Sequence, residues 1–268
     1  MVAGTARSGT TWLAELIASQ QPTRIMFEPF DPIHVPDFAP FPQFLYVRPG
    51  EHNVELHAFC ERLFTGQIRH PRIDKTIDVL RPKARLVKDV RANLLLKWIN
   101  SQFPDLPLVL ILRHPCAVVT SRMELGWATD DDISPMMSQH QLIEDHFQDQ
   151  VDVIKGARHD EEKHAIIWSM HNAVPLSQFK NGGLTVVKHE DFIADPRSSL
   201  KSLCKSIGWT YDDKLDRIYR RPSRTSSRTT ALRGGAAANR RWQNSLSSSQ
   251  IDRVMRVVDA FGLGHLYP

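Results

Sequence analysis

The stretch Gly4-Thr5-Ala6-Arg7-Ser8-Gly9-Thr10-Thr11-Trp12 lies near the start of the 268-residue chain, between a short apolar run and an amphipathic one. Successive backbone N–H groups in a glycine-bounded turn, followed by a helix N-terminus, attract an anion. Gly4, Gly9 and Thr11 fit the nucleoside-triphosphate loop G-x-x-x-x-G-K-[ST], but Thr10 stands where its lysine belongs. That lysine would reach the β- and γ-phosphates; the cation here is Arg7, inside the loop. The apolar run 108–112 ends in Arg113, where an acidic residue would help to hold Mg²⁺. Both exchanges remove parts of a metal–triphosphate site, which favours a metal-independent anionic donor over a nucleotide-dependent kinase. A glycine turn between strand and helix also occurs with no ligand at all.

Arg113-His114-Pro115 is the second candidate. It follows an apolar run and opens a helical pattern, with Ser121 and Arg122 about two turns further on. Ligands of open α/β sheets bind at the C-terminal ends of the strands. An arginine there can clasp a phosphate with two parallel hydrogen bonds, and a hydroxyl adds a further donor.

Short β-type runs alternating with helix-type patterns must position these residues, the signature of βαβ units and an α/β fold with a parallel sheet. Strands are expected over 1–4, 23–27, 85–90, 108–112 and 184–188. Helices are expected over 10–19, 56–64, 94–99 and 117–125, on apolar spacings such as Leu13/Leu16/Ile17 and Leu56/Phe59/Cys60/Leu63. Residues 29–50 hold six prolines and no periodicity, so they read as a long functional loop. A helical insertion is expected over about 138–180. Asp195-Pro196 pairs a capping residue with a first-position proline, and Ser247 with Gln250 forms a capping box that Gly262 closes. No repeat or linker interrupts the pattern, so one domain over 1–268 is expected.

Composition narrows the class. Hydrophobic residues make up 41% and charged residues 24%, ordinary for a globular chain and unlike collagenous, disordered or coiled-coil sequences. No apolar stretch is long enough to cross a bilayer. The first residues lack the pattern of a secretory signal, and three cysteines without a C-x-x-C pair argue against a disulfide framework. A cytoplasmic location is the expectation. The net charge of +4 is mild, but seven arginines crowd between Arg220 and Arg241. The absence of interleaved aromatics or a recognised module argues against a nucleic-acid partner for that cluster; an anionic ligand suits it better.

Residues 7–12, Arg-Ser-Gly-Thr-Thr-Trp, and then Leu112-Arg113-His114-Pro115 with Ser121 following, resemble sulfotransferases that use 3′-phosphoadenosine 5′-phosphosulfate (PAPS). The first segment resembles that family's 5′-phosphosulfate loop and the second its 3′-phosphate motif. Val187-Lys188-His189-Glu190-Asp191-Phe192 with Asp195-Pro196 resembles its Y-E-D-L…D-P segment. Arg233-Gly234-Gly235 resembles its late R-K-G loop, and Arg241-Trp242 its basic-Trp pair. The match spans 1–127 and 184–262. It implies a P-loop-like central parallel sheet, PAPS as cosubstrate, no metal, and a hydroxyl-bearing acceptor. It also implies nucleotide-binding roles for Arg7, Ser8, Gly9, Thr10, Thr11, Trp12, Arg113, Ser121, His189, Arg233 and Gly234.

The soluble small-molecule branch carries a K-T-H segment with a catalytic histidine; Lys88-Asp89-Val90-Arg91 matches that stretch without one. With Arg7 and Phe27-Glu28-Pro29, it looks more like the carbohydrate and tyrosyl-protein branches, where a glutamate after the second strand serves some members as base. The catalytic candidates are therefore Glu28 as base, Asp89 as its alternative, Lys88 as a sulfonate clamp and Arg7 at the bridging oxygen. A carboxylate is a weak base at neutral pH, so a raised pKa is expected for Glu28. A non-catalytic nucleotide or RNA binder is the other alternative.

Overall fold

The computed structural model describes residues 1–75, 79, 81–213 and 241–268. Its centre is a parallel sheet of β1 (Val2–Ala3), β2 (Thr23–Phe27), β3 (Ala84–Asp89), β4 (Val109–Leu112) and β5 (Thr185–Lys188), in the order β2-β3-β1-β4-β5. β1 is only two residues long, yet both are fully buried because strands flank it on each side. The apolar runs at β1 and β4 follow from burial on both faces, which a parallel sheet imposes.

Helices α1 (Thr10–Ala18), α2 (Val54–Phe64), α3 (Leu96–Gln102) and α4 (Pro115–Met123) follow strands or loops and cover the sheet. α5 (Asp130–Met137), α6 (His140–His146), α7 (Val151–Gly156) and α8 (Asp160–Gln178) form the insertion before β5. α9 (His189–Ala194), α10 (Pro196–Ser206), α11 (Trp242–Ser245) and α12 (Ser248–Ala260) come after it. On one face Leu13, Leu16 and Ile17 of α1 pack with Leu200, Leu203 and Cys204 of α10. On the other, Met26, Val87 and Leu110 meet Phe30, Phe38 and Phe59. A further cluster joins α8 and its neighbours to α4 and α12 through Val118, Trp168, Met170 and Val254. All three cysteines are free and buried.

Local signals set several boundaries. Asp195 caps α10 by accepting the Ser198 N–H at 3.1 Å, with Pro196 in the first turn. Ser247 and Gln250 form the capping box of α12, and Gly262 follows the helix at φ 71°. α4 starts earlier than its apolar spacing indicates, because His114 Nδ1 accepts the Cys116 N–H at 3.2 Å and supplies the cap.

Two expectations need correction. The insertion begins at Asp130, not near 138, because Asp130–Asp132 form the first turn of α5. Carboxylates suit a helix N-terminus, and Asp132 also pairs with the buried guanidinium of Arg122. The second concerns 94–99, which splits into a 3₁₀ turn (Asn93–Leu95) and α3.

His164 and His171 lie on α8, each 1% exposed. Burial and the Arg122 charge press their pKa values down to about 4 and about 3. At these two imidazoles the unfolded chain therefore binds close to two more protons than the folded one near pH 5. Stability contributed by the neutral imidazoles is present above about pH 6.5 and lost as pH falls, by roughly 2.7 kcal/mol per pH unit there. Stabilities from urea titrations between pH 7 and 5 should fall by about 1.4 kcal/mol per pH unit less in His171→Phe than in the wild type, the share of one imidazole.

Candidate active site

The loop after β1 is shaped by steric necessity. Gly4 leaves the strand so close to β4 that a Cβ would sit 2.7 Å from the Ile111 carbonyl oxygen. Gly9 caps α1 at φ 95°, and a Cβ there would lie 2.6 Å from His189 Cδ2. Between them the Ser8 N–H bonds the Thr5 carbonyl at 3.0 Å, and Arg7 takes a left-handed φ of 78°. Asn172 of α8 reaches the Thr5 hydroxyl at 3.3 Å, tying the insertion to the loop.

Arg7, Ser121 and Arg113 come together, although 114 and 106 residues separate the bonded pairs. Arg7 Nε donates to Ser121 Oγ at 2.9 Å, and Arg113 Nη1 donates to the Arg7 carbonyl at 3.1 Å. Burial lowers the pKa of both guanidiniums, and the Arg7 charge lowers that of Arg113 further, while Glu190 opposes this. Arg113 Nε and Ser8 Oγ are buried with no hydrogen-bond partner among the described residues. Two desolvated cations beside orphaned donors call for an anion, because an unmade buried hydrogen bond costs about 1–3 kcal/mol. The donors present thus fit the phosphate and sulfonate oxygens of PAPS. Trp12 and His189 meet with ring centroids 5.4 Å apart beside this loop.

A support layer holds Arg113. Glu190 Oε1 accepts the His114 N–H at 3.0 Å, and its Oε2 accepts the Tyr267 hydroxyl at 3.2 Å. Trp168 Nε1 donates to the Arg113 carbonyl at 3.0 Å. The His114 ring stacks on Trp242 at 4.3 Å, and Arg241 pairs with Glu124 at 2.9 Å. Arg233 and Gly234 lie outside the described residues.

The C-terminal ends of β2 and β3 carry the second half. Glu28, at φ 47°, donates its N–H to the Lys88 carbonyl at 2.7 Å. Its carboxylate receives Lys88 Nζ at 2.5 Å, Arg91 Nη1 at 3.1 Å and Arg72 Nη2 at 3.3 Å. Burial pushes the Glu28 pKa up, but Lys88 and Arg91 together outweigh it and hold the carboxyl below its ordinary value. That sign is opposite to the expectation for Glu28, because sequence spacing does not reveal cations that arrive from elsewhere in the fold.

Asp89 occupies a different position. Its Oδ1 accepts the N–H groups of Arg91 at 2.6 Å and Ala92 at 3.1 Å, and its Oδ2 accepts that of Phe30 at 3.0 Å. The side chain is fully buried, and burial with the Glu28 charge pushes its pKa up to about 6. Asp89 therefore clamps the exits of β2 and β3 to one another.

Arg72, Asp31 and Asn172 have no mark in the sequence, and Glu190 is marked only as a member of the 187–192 segment, without its part in holding the Arg113 turn. Arg91 stands in the K-D-V-R stretch, but only its ion pairs with Glu28 and Asp31 give it a part. Among the described residues no group of three or more His, Cys, Asp or Glu side chains is arranged to hold a metal, and no helix is long and apolar enough to cross a membrane.

The chain aligns over 97% of its length with the sulfotransferase domain from the curacin biosynthetic pathway, at TM-score 0.51 and 14% identity, covering 96% of that domain. It aligns over 97% with the sulfotransferase domain of the Synechococcus PCC 7002 olefin synthase, at TM-score 0.52 and 15% identity, covering 93% of it. No curated protein is significantly similar in sequence. At such identities the likeness establishes the fold, a parallel sheet flanked by helices. The model of the sulfotransferase family matches residues 1–213, taking in the loop after β1, the Glu28–Lys88 pair and the Arg113–Ser121 segment. By that match this enzyme belongs to the sulfotransferase family.

Proposed function

We propose that the enzyme transfers a sulfuryl group from PAPS to a hydroxyl of a carbohydrate or another alcohol. The observation that carries this is the Arg7–Ser121–Arg113 cluster with its orphaned Ser8 Oγ and Arg113 Nε. Bound PAPS supplies an activated sulfuryl group on a phosphate oxygen. Alignment, deprotonation and charge stabilisation are left to the protein. Arg7, Thr10, Thr11 and the loop N–H groups face the bridging oxygen where charge develops. Arg113 and Ser121 hold the 3′-phosphate, with Arg233 and Gly234 assigned there by the resemblance; Trp12 and His189 flank the adenine.

Glu28 takes the proton of the acceptor hydroxyl. Its three cations keep it ionised, hence ready to accept, but at the cost of basicity. Lys88 is the cation to turn toward the sulfonate, and that turn raises the affinity of Glu28 for a proton. Asp89 positions the two loops and is not the base.

Calorimetry in EDTA tests the donor. Adenosine 3′,5′-bisphosphate should bind without metal and Mg·ATP much more weakly. Arg113→Ala should cost the bisphosphate about 1.5–3 kcal/mol more than it costs AMP, the worth of a charge-assisted partner. Tight ATP binding that requires Mg²⁺ would favour a kinase. Equal losses for both nucleotides would move Arg113 away from the 3′-phosphate.

A further inference from the structure

The order of the sheet gives the site a direction. The donor loop leaves β1; β3, carrying Lys88, is its neighbour; β2, leading into Glu28, is the edge strand. Residues 66–75 run along that edge. The Phe27 N–H bonds the Ile73 carbonyl at 2.9 Å. Arg24, 2% exposed, bonds Asp74 and the carbonyls of Gly66 and Ile68. These bonds fix the backbone that carries Arg72 and Lys75. Since Glu28 serves the acceptor, these two cations stand on the acceptor's side, at the edge strand two places from β1.

Among the described residues, charge around Glu28 does not balance. Arg72, Lys75, Lys88 and Arg91 face Glu28, Asp31 and Asp89, and Asp89 is already taken up by three backbone N–H groups. Arg72 and Arg91 grip the same two oxygens, Glu28 Oε2 and Asp31 Oδ2, at 3.1–3.5 Å. Each nevertheless keeps a buried Nε–H that has no acceptor among the described residues. Lys75 lies 3.4 Å over the Phe27 ring and makes no ion pair with a described residue. Burial and the neighbouring Arg72 charge lower its pKa. A lysine held among cations, next to buried guanidinium donors without acceptors, is completed by an oxyanion.

We propose that Arg72 and Lys75 form an anion subsite, and that the acceptor is an alcohol bearing an oxyanionic group, such as a carboxylate, close to the hydroxyl that is sulfated. The inference rests on the sulfuryl-transfer reading above, in which Glu28 marks the acceptor's place.

The test has a binding arm and a turnover arm. Inorganic sulfate is titrated by calorimetry into protein saturated with adenosine 3′,5′-bisphosphate, so that the nucleotide's phosphate sites are filled. Sulfate is expected to bind, and Lys75→Glu to weaken it about tenfold or more, as is Arg72→Gln. Lys75 is exposed, and Lys75→Gln is the second variant, which removes the charge without placing a carboxylate over the Phe27 ring. Absent sulfate binding, or binding indifferent to Lys75→Glu, overturns the subsite. In turnover with PAPS, hydroxy acids should exceed their own amides about tenfold in kcat/KM, mostly through KM, and Lys75→Glu should abolish that preference. Equal turnover of acid and amide also overturns the subsite. If no alcohol is sulfated while sulfate binding still depends on Lys75, the transfer reading fails and the anion subsite stands.

Discussion

Glu28→Gln should lower kcat by about 10²–10⁴ while nucleotide affinity stays within a few-fold, the usual range for a lost general base. Glutamine keeps the shape and one acceptor oxygen for Lys88, Arg91 and Arg72, so the cationic cradle has reason to persist. The pH profile adds a sign. Lys88 and Arg91 hold the Glu28 pKa below its ordinary value, so in the free enzyme the base stays competent down to unusually low pH. The acidic limb of kcat/KM should therefore lie below the ordinary carboxylate range and vanish in Glu28→Gln. Asp89→Asn makes the contrast. It exchanges one of two accepting oxygens for a donor facing backbone N–H groups, so it should cost stability first, seen as a lower Tm. Wild-type kcat in Glu28→Gln, under conditions where chemistry limits the rate, would remove Glu28 from the reaction.

Arg7→Ala should lower kcat by about 10²–10³, as expected when a preorganised cation is taken from a developing charge. Arg7 also occupies a left-handed φ of 78°, so backbone strain and lost charge must be separated. Arg7→Gly does so: glycine adopts that φ without steric cost but supplies no cation. The two variants should differ in stability by about 0.5–1 kcal/mol and share the loss in kcat. Arg7→Lys, which restores a charge without the fork that holds Ser121, should recover about tenfold over Arg7→Ala. If Arg7→Gly turns over like the wild type, the role of Arg7 is confined to shaping the loop and catalysis rests on Lys88 and the loop amides.

Features whose causes are local were legible in the sequence alone. The Gly4-to-Thr11 turn, the Asp195-Pro196 and Ser247/Gln250 caps and the apolar strands each depend on a few adjacent residues, through φ/ψ limits, capping bonds and burial period. β2 and the caps of α10 and α12 fall where those rules place them. Boundaries shifted where a cap came from an unusual residue, as with His114, or where carboxylates favoured a helix start, as with Asp130–Asp132. The residue types of the Arg7 loop and of the Arg113–Ser121 segment also announced anion binding, and the fold brings the two together.

The tertiary structure alone decided how the two candidate carboxylates differ. Glu28 and Asp89 read alike as acids at strand ends, yet one meets three cations and the other three backbone N–H groups. Their pKa values consequently move in opposite directions, Glu28 down and Asp89 up to about 6. Arg72 reaches Glu28 from 44 residues away, and Tyr267 reaches Glu190 from 77. Electrostatic environment depends on distances through space and on the water that burial removes, neither of which is a property of neighbours along the chain.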